Sequence, residues 1–525
     1  MKHQFDVTLA VFGNNVLDPK FNIWVCFSLG LASIILYSIR WKGPRVLPDV
    51  YVAGLEDGKR TIAEARKKFV ASCAEIMLEG YQRTQGGFFY VPSPAGERLM
   101  IPTRYIEELK NSPDDSVDFT GSFLEMFMGR YTTIGMRWHL HPGVVKKSLN
   151  SNLAAIMPSV EEEIYHAFET TLPPFNKNTD WTSVVMADKF VDIISRASNR
   201  MLGGKALSRN AEWTATSINF TTDAWLASQR LKQFHPLLRP IVQHWIPEMA
   251  KVKHHGVVAR RVINPIVESR LTRGEKPLDL LQMLWEGAQG KDKTPDFMAY
   301  TALAISFAAI RTSSSVPTHL LYDLCARPEY IEPLRQEIET VLAEEGSFTK
   351  SGLNKLIKLD SFMKESQRFN PLSFLTFGRV IHQDLTLYDG FTIPAGTMIG
   401  IPAHAISQDS AFYPSPSTFS GFRFVPDLSS PSTSIATSPE KALPQFVTTN
   451  ASNLSWGYGK HACSGRFFAA NEIKIIVAHF LLNYDFKFAS SDTQRPKNLA
   501  YELQNEADPT IKVLLKKRDR KVGGG

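Results

Sequence analysis

Cys463 stands in "SWGYGKHACSGRFFA", residues 455–469, between Gly457, Gly459 and Gly465 and beside Lys460, His461 and Arg466. A core cysteine needs neither the glycines nor the potential cations. A thiolate that must approach a large ligand needs both. Small residues let backbone amides reach the sulfur. The apolar run from Arg466 onward predicts a helix whose positive N-terminal end lies beside it and lowers the thiol pKa. Soft thiolate is one of the known axial ligands for haem iron, and His461 and Arg466 can stabilise a haem propionate or the local negative charge. This loop restricts the fold more than any other segment, because a helix must start beside a site for a wide, flat group.

The remaining cysteines, Cys26, Cys73 and Cys325, are scattered, with no CxxC pair and no disulfide pattern. They point to a reduced, cytosol-facing body. The net charge of +7 (59 Lys+Arg minus 52 Asp+Glu) is spread along 525 residues. It suits a membrane surface or an acidic protein partner, and it is too diffuse for nucleic acid. Residues 21–39 carry no charge. At about 1.5 Å per residue they span roughly 28 Å, close to a bilayer's hydrocarbon layer. Arg40, Lys42 and Arg45 follow and hold the C-terminal side in the cytosol. The expected order is a short lumenal segment (1–20), a transmembrane anchor (21–40), a proline-containing linker (41–55), a catalytic domain (56–515) and a basic flexible tail (516–525).

Within the domain, residues 56–85 read as helical and 86–102 as strand, turn and strand. Long helices dominate from 113 to 345. Short strands joined by turns follow between 376 and 402, and 427–453 is a Ser/Thr/Pro-rich loop. A last helix spans about 466–484. The expected fold is mainly α with a minor β part.

"WGYGKHACSG" resembles the haem-binding signature of the cytochrome P-450 family, FxxGx(R/H)xCxG, with Trp456 where phenylalanine is usual. The resemblance implies that Cys463 is the iron ligand and that Trp456, Gly457, Gly459, His461 and Gly465 surround the haem. "ESQR" places Glu365 and Arg368 on one helix face. It resembles the family's ExxR pair, which a later arginine, here Arg423 in "PSTFSGFRF", completes as a buried structural network. Arg379 in "FGRV" resembles the propionate-binding arginine. Lys146 and Lys147 are weaker candidates for the second propionate.

"AISFAAIRTSSSVPTHLLYDL", residues 304–324, resembles the family's oxygen-binding helix. Ile305, Ala308, Ala309 and Thr312 share a face. Ala308 and Ala309 leave room for dioxygen, and Thr312 donates a hydrogen bond toward it. Arg311 stands where the family has an acid, so proton delivery by a carboxylate there is unsupported. Pro317 should kink or end the helix.

The resemblance covers about residues 56–515, with its motifs in family order. It implies the cytochrome P-450 fold, a haem cofactor and a monooxygenase of the membrane-anchored, fungal secondary-metabolism type. It also implies a single-pass location in the endoplasmic reticulum membrane with the catalytic domain facing the cytosol. The partners it implies are dioxygen, an apolar small molecule and NADPH-cytochrome P-450 reductase docking near Lys460 and Arg466. The substrate expected is a terpenoid, indole diterpene, meroterpenoid or alkaloid intermediate, and Phe307, Ala308, Leu372, Phe374 and Thr376 are the pocket candidates. Two alternatives remain open: a reductase-independent haem-thiolate isomerase or dehydratase, and a non-catalytic haem-binding protein.

Overall fold

The computed structural model describes residues 46–56, 60–94, 96–137, 139–175, 180–426 and 445–518. The anchor expected at 21–40 lies outside them, as do most of the Ser/Thr/Pro-rich loop and the last residues of the tail. Among the described residues no helix is long and apolar enough to cross a membrane.

The body is mainly helical with minor sheets. Its principal helices are α1 (Ile62–Ala71), α2 (Cys73–Arg83), α3 (Phe119–Met126), α4 (Leu153–Thr171), α5 (Met186–Gly203), α6 (Ala211–Lys232), α7 (Pro247–Arg273), α8 (Pro295–Ala326), α9 (Ile331–Glu345), α10 (Ile357–Phe369) and α11 (Arg466–Asn483). The strands are β1 (Phe89–Ser93), β2 (Gly96–Met100), β3 (Val117–Asp118), β4 (Thr182–Val185), β5 (Thr376–Ile381), β6 (Leu385–Thr386), β7 (Thr392–Ile393), β8 (Met398–Ile401), β9 (Tyr484–Phe488), β10 (Leu499–Tyr501), β11 (Gln504–Glu506) and β12 (Lys512–Lys517). One sheet has the order β1-β2-β8-β5-β3, in which only β2 and β8 run parallel. A second has the order β4-β12-β9, and β10 and β11 form a hairpin.

Helix α8 is the central beam. Thr294 caps it by accepting from the Phe297 amide, and Pro295 occupies the first turn, where its missing N–H costs nothing. Its 32 residues give a length of roughly 48 Å. The helix does not end at Pro317 but continues to Ala326. Packing explains this: α8 lies against α5, α6, α7, α10 and α11, and most of its second half is buried. Hydroxyls also back-bond along the same stretch, Ser314 Oγ to Arg311 O (3.2 Å) and Thr318 Oγ1 to Ser314 O (2.9 Å). Helix α11 is apolar nearly all round, as a helix buried on every side must be, and Ile473, Ile475 and Ile476 are fully buried.

Two boundaries differ from expectation. Residues 51–53, assigned to the linker, belong to the body: Ala53 N–H donates to Tyr90 O and Tyr90 N–H donates to Tyr51 O, which adds a short parallel bridge to β1. At the other end, β12 carries Lys516 and Lys517 into the expected tail, because its partner β9 extends opposite them. β4 and β9–β12 went unread in the sequence. β4 pairs with a strand more than three hundred residues away, so no local pattern reveals its partner.

Candidate active site

The loop 455–465 is shaped by its glycines in two distinct ways. Gly457 (φ 70°) and Gly459 (φ 72°) occupy the left-handed region. A Cβ on Gly459 would stand 2.5 Å from Lys110 O, so side-chain-free backbone is required there. Gly465 has an ordinary φ of −85° and leads into α11. A Cβ on it would meet nothing within 4 Å. No protein atom crowds this position, and it faces open space.

Cys463 is anchored through its backbone, with its N–H donating to Trp456 O at 2.8 Å. The sulfur accepts from the Gly465 and Arg466 amides. These are the orphan donors of a helix N-terminus, satisfied by the ligand atom itself. Burial raises the thiol above its ordinary value, and the two amides and the Arg466 charge only moderate that rise. The expectation of a lowered thiol pKa is therefore corrected for the free protein: desolvation outweighs the helix terminus. Cys463 itself is exposed, although protein crowds its sulfur closely enough for desolvation to dominate.

The other expected ligand-side residues take definite places. Trp456 Nε1 donates to Phe446 O (2.9 Å) and packs edge-on against the Phe446 ring. His461 lies at 2.9 Å from Asp114 and stacks on Phe119. Burial lowers its pKa, with Asp114 opposing the shift. Lys460 joins the same carboxylate at 3.0 Å. Arg379 is 3% exposed and sits over the rings of Phe377 and Phe119. Its Nη1 bonds only Gly378 O (2.8 Å), and among the described residues it has no ion pair. Burial lowers its pKa to about 10. Phe377, with φ 55°, sits in a register shift of β5 between Thr376 and Arg379, the kind of bulge that re-aims side chains. Lys146 and Lys147 are both exposed and read as a solvated face. Sequence reasoning missed Asn150, whose Nδ2 donates to Ser464 O at 3.2 Å, and Asp114, which gathers Lys460 and His461. Neither stands in a recognisable motif.

Helix α8 has one open face. Ala308 and Thr312 are exposed and Ala309 half-buried, while Ser306, Ile310 and Ser313 on the other side are buried. Exposure in the middle of a helix packed against five others marks a cleft beside it. Thr312 Oγ1 donates to Ala308 O (2.6 Å), so its single hydroxyl proton must leave that carbonyl before it can serve the cleft. Arg311 points elsewhere, donating to Thr222 Oγ1 on α6 at 2.9 Å. Of the pocket candidates, Phe307 is half-buried between Phe127 and Phe220, and Leu372 and Thr376 line a cleft shared with Leu454 and Ser455. Phe374 is buried in a core cluster with Phe69 and Phe89.

Below the loop, Glu365 is fully buried and accepts from Arg368 Nε (2.9 Å) and Nη2 (2.8 Å), Arg423 Nε (3.1 Å) and Ser420 N (2.9 Å). The spare arginine donors reach Ser407 O, Pro416 O, Pro414 O and Thr418 O. A buried charge cluster is tolerable only when paired this completely.

These residues fit a haem. A buried arginine without a carboxylate awaits an anion, a glycine faces open space, and both the thiol and a small-residue face of α8 are open. The model of the family described as Cytochrome P450 matches residues 122–510. Similar proteins include Cytochrome P450 monooxygenase AN1598 of Emericella nidulans, 35% identical over 502 residues (93% of this chain, 90% of that protein). Ent-kaurene oxidase P450-4 of Gibberella fujikuroi is 34% identical over 512 residues (96% and 99%). Cytochrome P450 monooxygenase olcJ of Penicillium canescens is 38% identical over 453 residues (85% and 84%). A match of this extent, running through α8, the Glu365 network and the Cys463 loop alike, means that the chain belongs to the cytochrome P450 family.

Proposed function

We propose that this haem-thiolate monooxygenase hydroxylates or otherwise oxidises an apolar terpenoid-type molecule of fungal secondary metabolism, with electrons from NADPH-cytochrome P450 reductase. The observation that carries this is the open Ala308 and Thr312 face of α8, with Phe307 beside it packed edge-on against Phe127, in a chain whose Cys463 accepts from the amides that start α11. The name of one relative, an oxidase of ent-kaurene, supports the terpenoid class. Bound through Cys463, the haem supplies dioxygen activation, which thiolate donation favours. The chain's own part is to hold and to position. Cys463 ligates, the Gly465 and Arg466 amides steady the sulfur, and Arg379 and His461 offer cationic or hydrogen-bonding contacts to propionates. Thr312 moves a proton at its Oγ1. The purified holoprotein, titrated with a panel of terpenoids and prenylated alkaloids, should show a substrate-induced shift of the haem absorption. It should then form an oxygenated product only with NADPH and reductase. Rearrangement of a peroxide substrate without reductase would instead favour the isomerase reading.

Thr312→Ala is expected to lower product per NADPH by roughly 10-fold or more, with hydrogen peroxide released in its place. Coupling equal to wild type would remove Thr312 from proton delivery.

We also place the protein at the endoplasmic reticulum membrane. An exposed apolar patch between α6 and α7, including Ile241 (55% exposed) and Trp245 (74%), supports contact with a bilayer in addition to the anchor expected at 21–40. Removing residues 1–40 should release a large share of the protein from sedimented membranes while leaving some bound. Complete retention would show that the anchor is not the main attachment.

A further inference from the structure

Among the described residues, Arg98 is the charge most in need of a partner. It lies on β2 between Val91 of β1 and Met398 of β8. It is 4% exposed. Its Nε and Nη1 have no hydrogen-bond partner, and Nη2 reaches only the Met398 sulfur at 4.0 Å. A guanidinium stays charged at any ordinary pH and presents a fork of donors suited to a carboxylate. Burying one without an acceptor is costly, and a fold keeps such a group where something else supplies the acceptor.

Arg98 lines a small cleft of ≈ 30 Å³, open to solvent and with room for a head group, together with Phe69, Glu125, Lys232, Glu502 and Leu503. Neither acid pairs with it. Glu502 is held, at 3.9 Å, by Lys232. Glu125 is exposed on α3. Both acids act on Arg98 only at longer range, and burial still lowers its pKa to about 10. The cleft therefore has an apolar wall, a buried fork of unused donors and a second cation in a long, weak ion pair that an incoming anion can replace. Two acids in the same space disfavour a diphosphate, so a singly charged group fits best.

The surrounding elements also contact α8 or segments beside it. Lys232 ends α6, whose Thr222 binds Arg311 of α8. Phe127, just after α3, packs on Phe307 beside Ala308. The β10–β11 hairpin that carries Glu502 is tied to the pocket segment by Phe374 N–H to Leu503 O (3.0 Å) and Asn505 N–H to Leu372 O (3.3 Å). A Cβ on Gly378, next to Arg379, would stand 3.4 Å from Arg98 Nη1.

We infer that Arg98, assisted by Lys232, binds the carboxylate of an amphipathic substrate, an apolar skeleton bearing one acid group, and directs its far end toward the Ala308–Thr312 face. The inference rests on the monooxygenase reading for where the reacting end lies, and on Arg98's own surroundings for the acid.

The test uses purified full-length holoprotein with abietic acid, methyl abietate and dehydroabietylamine, which are an anion, a neutral molecule and a cation on closely related tricyclic skeletons. Binding is read both by the shift of the haem absorption and by thermal shift. The acid is expected to bind about 10- to 100-fold more tightly than the ester, the range of a charge-assisted hydrogen-bond pair, with the amine weakest. Arg98→Gln should remove most of that preference, Arg98→Lys should keep part of it, and Lys232→Gln should reduce it. Equal affinity for acid and ester, no binding of the acid, or a preference that survives Arg98→Gln overturns the proposal. If Arg98→Gln fails to load haem, Lys232→Gln decides, and an acid-to-ester ratio unchanged from wild type overturns it. Wild-type protein that takes up no haem would defeat the monooxygenase reading instead, while the thermal shift by the acid would still report on Arg98.

Discussion

Cys463→Ala is expected to abolish the red-shifted carbon monoxide band of thiolate-ligated haem and all reductase-supported turnover. The substitution is mild for the fold. Cys463 is exposed, and the bond that holds its loop in place, N–H to Trp456 O, belongs to the backbone and survives. Gly457 and Gly459 keep their left-handed conformations whatever stands at 463. What disappears is the acceptor of the Gly465 and Arg466 amides and the only sulfur in this loop. Far-ultraviolet circular dichroism and the thermal midpoint of the haem-free protein should therefore change little while the spectrum changes completely. A carbon monoxide band left at its wild-type position would mean that another group ligates the iron.

Glu365→Gln should be the most damaging single substitution for stability. It removes the only full negative charge shared by Arg368 and Arg423, both nearly buried. Breaking a buried ion pair by deleting one partner costs about 3–5 kcal/mol. The net stability of a folded domain is only ~5–15 kcal/mol. Glutamine keeps the shape but offers one acceptor where the carboxylate serves Arg368, Arg423 and the Ser420 amide. The expected results are a much lower denaturant midpoint and a small haem-loaded fraction, even though Cys463 is untouched. Glu365→Asp should lie between the two. A Glu365→Gln protein with wild-type midpoint would show that the carbonyls of Ser407, Pro414, Pro416 and Thr418 satisfy the two arginines without the carboxylate.

The same cluster separates what is visible in a linear chain from what is not. The i, i+3 spacing of Glu365 and Arg368 is local and could be read directly. The fan of carbonyls from 414 to 418 that receives the remaining donors could not, because backbone acceptors carry no residue signal. Arg98 is the extreme case. In sequence it is one arginine in "GERLMIP", and only the sheet register that sets it between Val91 and Met398 makes it buried and unpartnered.

Residue order alone determined the mainly helical class, the run of motifs and the thiol in its glycine-rich loop, because these rest on local periodicity, local conformational need and short-range spacing. Tertiary structure decided the rest. Helix α8 runs on through Pro317 because its neighbours hold it. Asp114 collects His461 and Lys460, Asn150 reaches Ser464 O, and β4 finds β12 across most of the chain. Each is a contact between residues far apart in sequence, whose energy exists only once the whole body has packed.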